Sequence, residues 1–211
     1  MKRPMKFLFI MALALALVLP AMAVGQSVLY FGDTPGHWNA LVSSLGVSGL
    51  WRSSILPQDL PYDVVIVDKS SFSPRDASRL RAFTARGGGV AFIGGAPYWL
   101  AGSADLSPIA EWFGAWCYTN GPDCSPATAS LCHPFGCWLC VGEAVAWSSC
   151  RWSGPAAVAD LTSDAVAMAR WPDGSIFAFA HAYGSGRVYF QSIIDSCLFP
   201  SAVRWLAGSD P

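Results

Sequence analysis

The chain has 211 residues, more than half of them hydrophobic, with thirteen basic side chains against fourteen acidic ones; three of the basic residues fall within the first six positions. Without residues 1–23 the remainder carries a net charge of −4, a single lysine at Lys69 and no basic run. That excludes the electrostatic footprint of a nucleic-acid binder, and no apolar stretch after Ala23 approaches the ~20 residues of a membrane span, so no stable membrane insertion is expected there.

Lys2, Arg3 and Lys6 precede an unbroken apolar run, Phe7 to Leu19, followed by Pro20 and the small-residue triplet Ala21-Met22-Ala23. This is the order of a cleavable signal peptide, with a run too short to span a bilayer. Cleavage is expected after Ala23, leaving a secreted or periplasmic product. Residues 24–211 are sized for one α/β domain carrying an insertion.

Val28 to Phe31 is a short strand-like run that breaks at Gly32-Asp33-Thr34-Pro35-Gly36. Trp38, Leu41, Val42 and Leu45 then recur at helical spacing up to Gly46. A weaker extended candidate covers Val47 to Leu56. Asp63 to Asp68 is the clearest strand, apolar at successive positions as burial on both faces requires. Ser73 before Pro74 predicts a capped helix start, with Ala77, Leu80, Phe83 and Thr84 continuing it to Arg86 and Gly87-Gly88-Gly89 ending it. Val90 to Ile93 is the next buried strand, so the two strands and their helix form a βαβ unit. A helix is expected over Leu106 to Phe113. Residues 114–155 shift to a Cys- and Trp-rich insertion. Short strands follow at Ala165 to Trp171, Ile176 to Ala182 and Arg187 to Ile194, with turns at Asp173-Gly174 and Gly184-Ser185-Gly186, and Ser201 to Leu206 closes as a helix.

The block Leu60 to Asp68, the helix ending Leu80-Arg81-Ala82-Phe83, the run Gly87 to Gly95, and Tyr183 to Phe190 together resemble the class I glutamine amidotransferase-like superfamily. Within it they are most similar to the noncatalytic, ThuA-like, trehalose-utilisation-type branch. The resemblance covers residues 28–113 and 160–207. It implies an α/β fold built on a flavodoxin-like, open, mostly parallel sheet with flanking helices, followed by C-terminal short strands and hairpins and interrupted by the cysteine-rich insertion. In catalytic members of that superfamily a cysteine nucleophile directly follows the strand that here is Val90 to Ile93, and a His-x-Glu after a late strand would fall near Gln191 to Asp195. The chain departs at both places: it has Gly94-Gly95-Ala96-Pro97 at the first and Gln-Ser-Ile-Ile-Asp at the second. Nothing in those segments forms a nucleophile–base pair.

Ligands of open α/β sheets sit beyond the strands' carboxyl ends. By that rule Gly94, Gly95, Tyr98 and Trp99 are the expected ligand-binding residues of the core. Asp33, His37, Asp68 and His181 are the candidates for a hydrolytic site, against a reading in which they cap turns and fill hydrogen-bonding niches. Cys117, Cys124, Cys132, Cys137, Cys140 and Cys150 crowd the insertion, with Cys197 apart. The Cys137-x2-Cys140 spacing beside His133 suits zinc, and Cys132-x4-Cys137-x2-Cys140 occurs in iron–sulfur proteins. Export favours disulfides over either; the odd seventh cysteine leaves a free thiol, with Cys197 the candidate, or an intermolecular bridge, and no metal or cofactor is expected. Trp138 within the insertion is a candidate stacking surface, alongside the reading that the insertion's indoles simply pack.

The expected function is an exported, noncatalytic binding or interaction scaffold, contacting a protein or carbohydrate partner through the insertion. The alternative is an exported hydrolase acting on a carbohydrate or amide with the polar residues at the strand ends.

Overall fold

The computed structural model describes residues 26–33, 35–36, 38–39, 45, 48–54, 56–57, 60–122, 125–129, 144–147, 156–193 and 198–208. The expected signal peptide, His37, Trp138, Asp195 and every cysteine except Cys117 lie outside these residues.

Eleven strands are present among the described residues: β1 (Ser27–Gly32), β2 (Ser48–Arg52), β3 (Val64–Asp68), β4 (Gly89–Ile93), β5 (Tyr118–Asn120), β6 (Pro126–Ala129), β7 (Ala144–Trp147), β8 (Ala156–Val158), β9 (Val166–Arg170), β10 (Ile176–Tyr183) and β11 (Gly186–Gln191). Helices among the described residues include α1 (Pro74–Ala85), α2 (Ala96–Ala101), α3 (Ala110–Phe113) and α4 (Phe199–Leu206). One sheet runs β2-β1-β3-β4-β11-β10-β9-β6-β7. Its first five strands are mutually parallel, in the relative order of a flavodoxin-like sheet. From β11 onward the pairing turns antiparallel.

Burial follows from the alternation of side chains along parallel strands covered on both sides. Val28, Tyr30, Val64, Ile66, Ala91 and Tyr189 face α4, packing with Phe199, Ala202, Val203 and Leu206. Leu29, Phe31, Val65, Val67, Val90, Phe92 and Phe190 face the other way, against Leu80 and Phe83 of α1 and Trp112 and Phe113 of α3. Helix α1 starts as expected. Ser73 accepts from the Asp76 amide, and Asp76 in turn accepts from the Ser73 amide, completing a capping box. The other Asp76 oxygen accepts from the Leu56 amide at 2.9 Å, which ties the β2–β3 connection to the helix.

Two elements differ from expectation. The helix expected over Leu106 to Phe113 is limited to its last turn. The Leu106 amide donates to the Trp116 carbonyl at 2.9 Å and Asp105 bridges Cys117, which draws the first half into loop pairing. The insertion, where described, joins the main sheet: its β6 pairs with β9, and its β5 pairs with β8, the strand just after the insertion, which in turn pairs with β10. Among the described residues no helix is long and apolar enough to cross a membrane.

Candidate functional site

At the carboxyl end of β4 the chain turns through Gly94, whose φ of 61° lies in the left-handed region, into Gly95 and then α2. The Gly94 amide donates to the Gln191 carbonyl at 3.0 Å, which holds the turn against the neighbouring strand β11. A Cβ added at Gly94 would meet nothing nearer than the Ser192 carbonyl oxygen, 3.6 Å away. The position therefore has space for a side chain and none is there. The polar groups of the adjacent strand end are already engaged: the Tyr189 hydroxyl donates to Gln191 Oε1 at 2.8 Å, and the Ser192 hydroxyl donates to the Ala156 carbonyl while accepting from Trp171 Nε1.

Helix α2 carries Tyr98 and Trp99 away from this elbow. Their rings meet edge to face at 5.1 Å, and Tyr98 leans on Tyr118 of β5 at 5.3 Å. Trp99 is half exposed. Tyr118 is the first residue of the insertion's first strand, so the insertion reaches the core at the β4 elbow.

The register Val67↔Phe92 sets the end of β3 beside that elbow. Here Asp33 and Asp68 come together on neighbouring strands, with the Asp33 amide donating to the Asp68 carbonyl at 3.2 Å. Lys69 Nζ lies 2.8 Å from Asp33 Oδ1, donates to the Ser53 carbonyl at 2.8 Å and sits 5.0 Å over the Phe31 ring. The other Asp33 oxygen accepts from the Ser70 hydroxyl at 2.6 Å and the Ser70 amide at 2.9 Å. Partial burial works to raise the Asp33 pKa, but these hydrogen bonds and the Lys69 charge outweigh it and hold the carboxyl down at about 2. The buried Tyr30 hydroxyl donates to Asp68 Oδ2, and burial followed by the Asp68 charge raises the phenol well above its ordinary range.

His181 lies apart from this group. The registers His181↔Val188, Val188↔Val90 and Val90↔Val65 put it three strands across and three residues back from Asp68, roughly 17 Å away by strand spacing and rise. It is buried, with Nε2 3.1 Å from the Glu111 carbonyl and Nδ1 3.6 Å from Asp164. Cys117 holds a free thiol, 3.5 Å from the Tyr118 carbonyl. No group of three or more His, Cys, Asp or Glu among the described residues has metal-binding geometry.

A separate cleft of about 220 Å³ lies at the strands' amino ends, lined by residues that include Asp63, Gly88, Ser185, Arg187 and Leu206. Its charged groups serve the fold: Asp63 accepts from the Ser27 amide and hydroxyl, and the Arg187 guanidinium caps the last turn of α4 through the Trp205 carbonyl.

Sequence reasoning placed Asp33, Asp68, Gly94, Gly95, Tyr98 and Trp99 at one edge of the sheet, and the structure brings them there. Tyr30, Ser70 and Tyr118 were missed. Tyr30 reads as one more apolar residue of a buried strand, and Tyr118 follows a cysteine in a segment without periodicity. The motif that finds Ser70 is the Asp-Lys-Ser run leaving β3.

No family model and no curated protein matches the chain. Solved structures do. A ThuA-like protein of Bacteroides uniformis superposes with a TM-score of 0.62 at 11% identity, over 91% of this chain and 96% of its own. A ThuA-like protein of Parabacteroides merdae gives 0.57 at 13%, over 87% and 90%. A β-galactosidase of Bacillus circulans sp. alkalophilus gives 0.62 at 11%, over 87% of this chain but 30% of the enzyme. Likenesses at these identities speak to architecture, and the chain has the α/β fold of the ThuA-like proteins.

Proposed function

We propose that the chain is an exported, noncatalytic module of the class I glutamine amidotransferase-like superfamily, ThuA-like branch, which binds a partner at the carboxyl edge of its sheet and through the insertion that joins it there. The carrying observation is the vacant elbow. Gly94 keeps the left-handed backbone of a strand-to-helix turn, with room for a side chain, yet offers no nucleophile. The neighbouring Gln191 and Ser192 are committed to internal hydrogen bonds. Covalent acyl transfer needs a nucleophile and a base within hydrogen-bond reach, and among the described residues this edge supplies no such pair. The β-galactosidase similarity adds a carbohydrate setting for a domain of this shape.

The hydrolase reading draws on Asp33 and Asp68 standing together. It is weakened by their engagement. A carboxylate held at about 2 by Lys69 and Ser70 is a poor acceptor for a proton at neutral pH, and His181 is on another part of the sheet. Incubating the full chain with glutamine, amides and neutral oligosaccharides tests the choice. The expected result is saturable binding of a partner without release of ammonia or new reducing ends. Turnover abolished by Asp33→Asn or Asp68→Asn would overturn it.

A further inference from the structure

Three aromatic residues surround a floor with no side chains at the elbow. Seen from an idealised Cβ on Gly95, Trp99 Nε1 is 3.4 Å away and the Tyr118 hydroxyl 3.8 Å away. The Tyr98 ring stands between the two, edge to face with Trp99 and tilted on Tyr118. Trp99 leaves half its surface to solvent although it is among the most hydrophobic side chains in the protein. Trp99 Nε1 and the hydroxyls of Tyr98 and Tyr118 make no hydrogen bond to any described residue. Among the described residues no ionised side chain belongs to the cluster. Burial, then the neighbouring Tyr98 phenol, pushes the Tyr118 hydroxyl above the usual phenol range, so it remains a neutral donor.

A ligand for this place must present an apolar face to an indole and several hydroxyls to uncompensated donors and acceptors, and must carry no charge that needs a counterion. It must also be thin enough to approach the backbone at Gly94 and Gly95. A neutral pyranose has these properties: its axial C–H face stacks on an aromatic ring, and its equatorial hydroxyls lie in the plane of the donors around it. An anionic ligand would want Lys or Arg, and the nearby Lys69 is already held by Asp33 and the Ser53 carbonyl.

We infer that Trp99, Tyr98 and Tyr118, arranged around Gly94 and Gly95, form a binding site for a neutral pyranose, with Trp99 as the stacking platform and the Tyr118 hydroxyl as a hydrogen-bonding arm lent by the insertion. This rests on the reading of the chain as a binding module and names its ligand class.

The test is titration of the full chain with glucose, galactose, mannose and their neutral disaccharides, followed by tryptophan fluorescence and calorimetry. A proline-rich peptide is run in parallel. Thermal melting checks that each variant folds. One or more saccharides should bind, with affinity reduced about tenfold or more by Trp99→Ala and several-fold by Tyr118→Phe. Trp116→Ala should leave affinity unchanged, because Trp116 is equally exposed but has no ring contact with the cluster. Saccharide binding that survives both Trp99→Ala and Tyr118→Phe, or no binding at about 10 mM saccharide, overturns the inference. Peptide binding lost on Trp99→Ala, with no saccharide bound, overturns the ligand class and leaves the binding module standing. Saccharide bound at Trp99 and then hydrolysed upholds the ligand class and overturns the noncatalytic reading.

Discussion

The Lys69 ammonium lies 2.8 Å from the Asp33 carboxylate, with the lysine side chain 9% exposed and the aspartate 39% exposed. The pair joins the ends of β1 and β3, and the Ser53 carbonyl adds the end of β2. The Asp33 pKa is lowered to about 2 in the folded chain, against an ordinary aspartate in the unfolded one. The stabilisation is therefore complete above about pH 4 and is lost as pH falls toward 2. With Asp33 this exposed, solvent screening limits the pair to about 1 kcal/mol or less. Asp33→Asn should flatten that part of the acid-unfolding profile, measured by urea midpoints between about pH 5 and pH 2. An unchanged profile would mean that Asp33 is not tied to Lys69 and Ser70 in solution.

Tyr30 and Asp68 make a different kind of bond across the same two strands. The phenol is fully buried and its hydroxyl donates to a partly buried carboxylate. Tyr30→Phe keeps the ring, and so its stacking on Trp38 at 5.7 Å, but removes the donor. The expected loss is about 2 kcal/mol, typical of a hydrogen bond to a charged partner, read from equilibrium urea unfolding. A loss within a few tenths of zero would place the Asp68 carboxylate in water rather than against Tyr30.

Gly94 separates strain from crowding. Its φ of 61° disfavours any side chain, while the space around it is open to within 3.6 Å of the Ser192 carbonyl. Gly94→Ala should cost about 1 to 2 kcal/mol through backbone conformation alone. Gly94→Asn, a residue that tolerates the left-handed region, should cost less. Equal losses for the two variants would point to a steric clash instead.

These positions also mark how far the sequence could be read. β3, α1 and β4 were legible because each carries its own local signal: a solid apolar run, a Ser-Pro cap, and a triple-glycine stop. Asp33 and Asp68 were legible as the first polar residues after buried strands. The β9–β10–β11 hairpins were legible from their Asp173-Gly174 and Gly184-Ser185-Gly186 turns, but the strands that extend the sheet beyond them were not. β5, β6 and β8 are three or four residues long, and Pro126–Ala129 and Ala156–Val158 are mostly small residues with no period. Their place is decided by pairing of β6 with β9, β8 with β10 and β5 with β8, each farther along the chain, and no window of local sequence contains that information. Tyr118 escaped for the same reason, since its role depends on where β5 pairs. Tyr30 escaped because a phenol within an apolar strand looks like packing until the end of the neighbouring strand is known.

Export and the thiols can be tested on one sample. Cys117 holds a free thiol beside the Tyr118 carbonyl, partly accessible at the start of the insertion; Cys197, the unpaired candidate from the sequence, lies outside the described residues. If the product is cleaved after Ala23 and the other six cysteines pair outside the cytoplasm, its N-terminus is Val24 and unfolding in iodoacetamide without reductant adds one label per chain. Reduction first should add seven. The Cys117→Ser variant tells the two odd cysteines apart: with Cys117 as the unpaired thiol, the variant takes up no label under non-reducing conditions, whereas with Cys197 unpaired the serine strands a former partner and the label rises from one to two per chain. Seven labels without reductant would show that the cluster does not pair at all, and retention of Met1 would remove the cleavage on which the pairing argument depends.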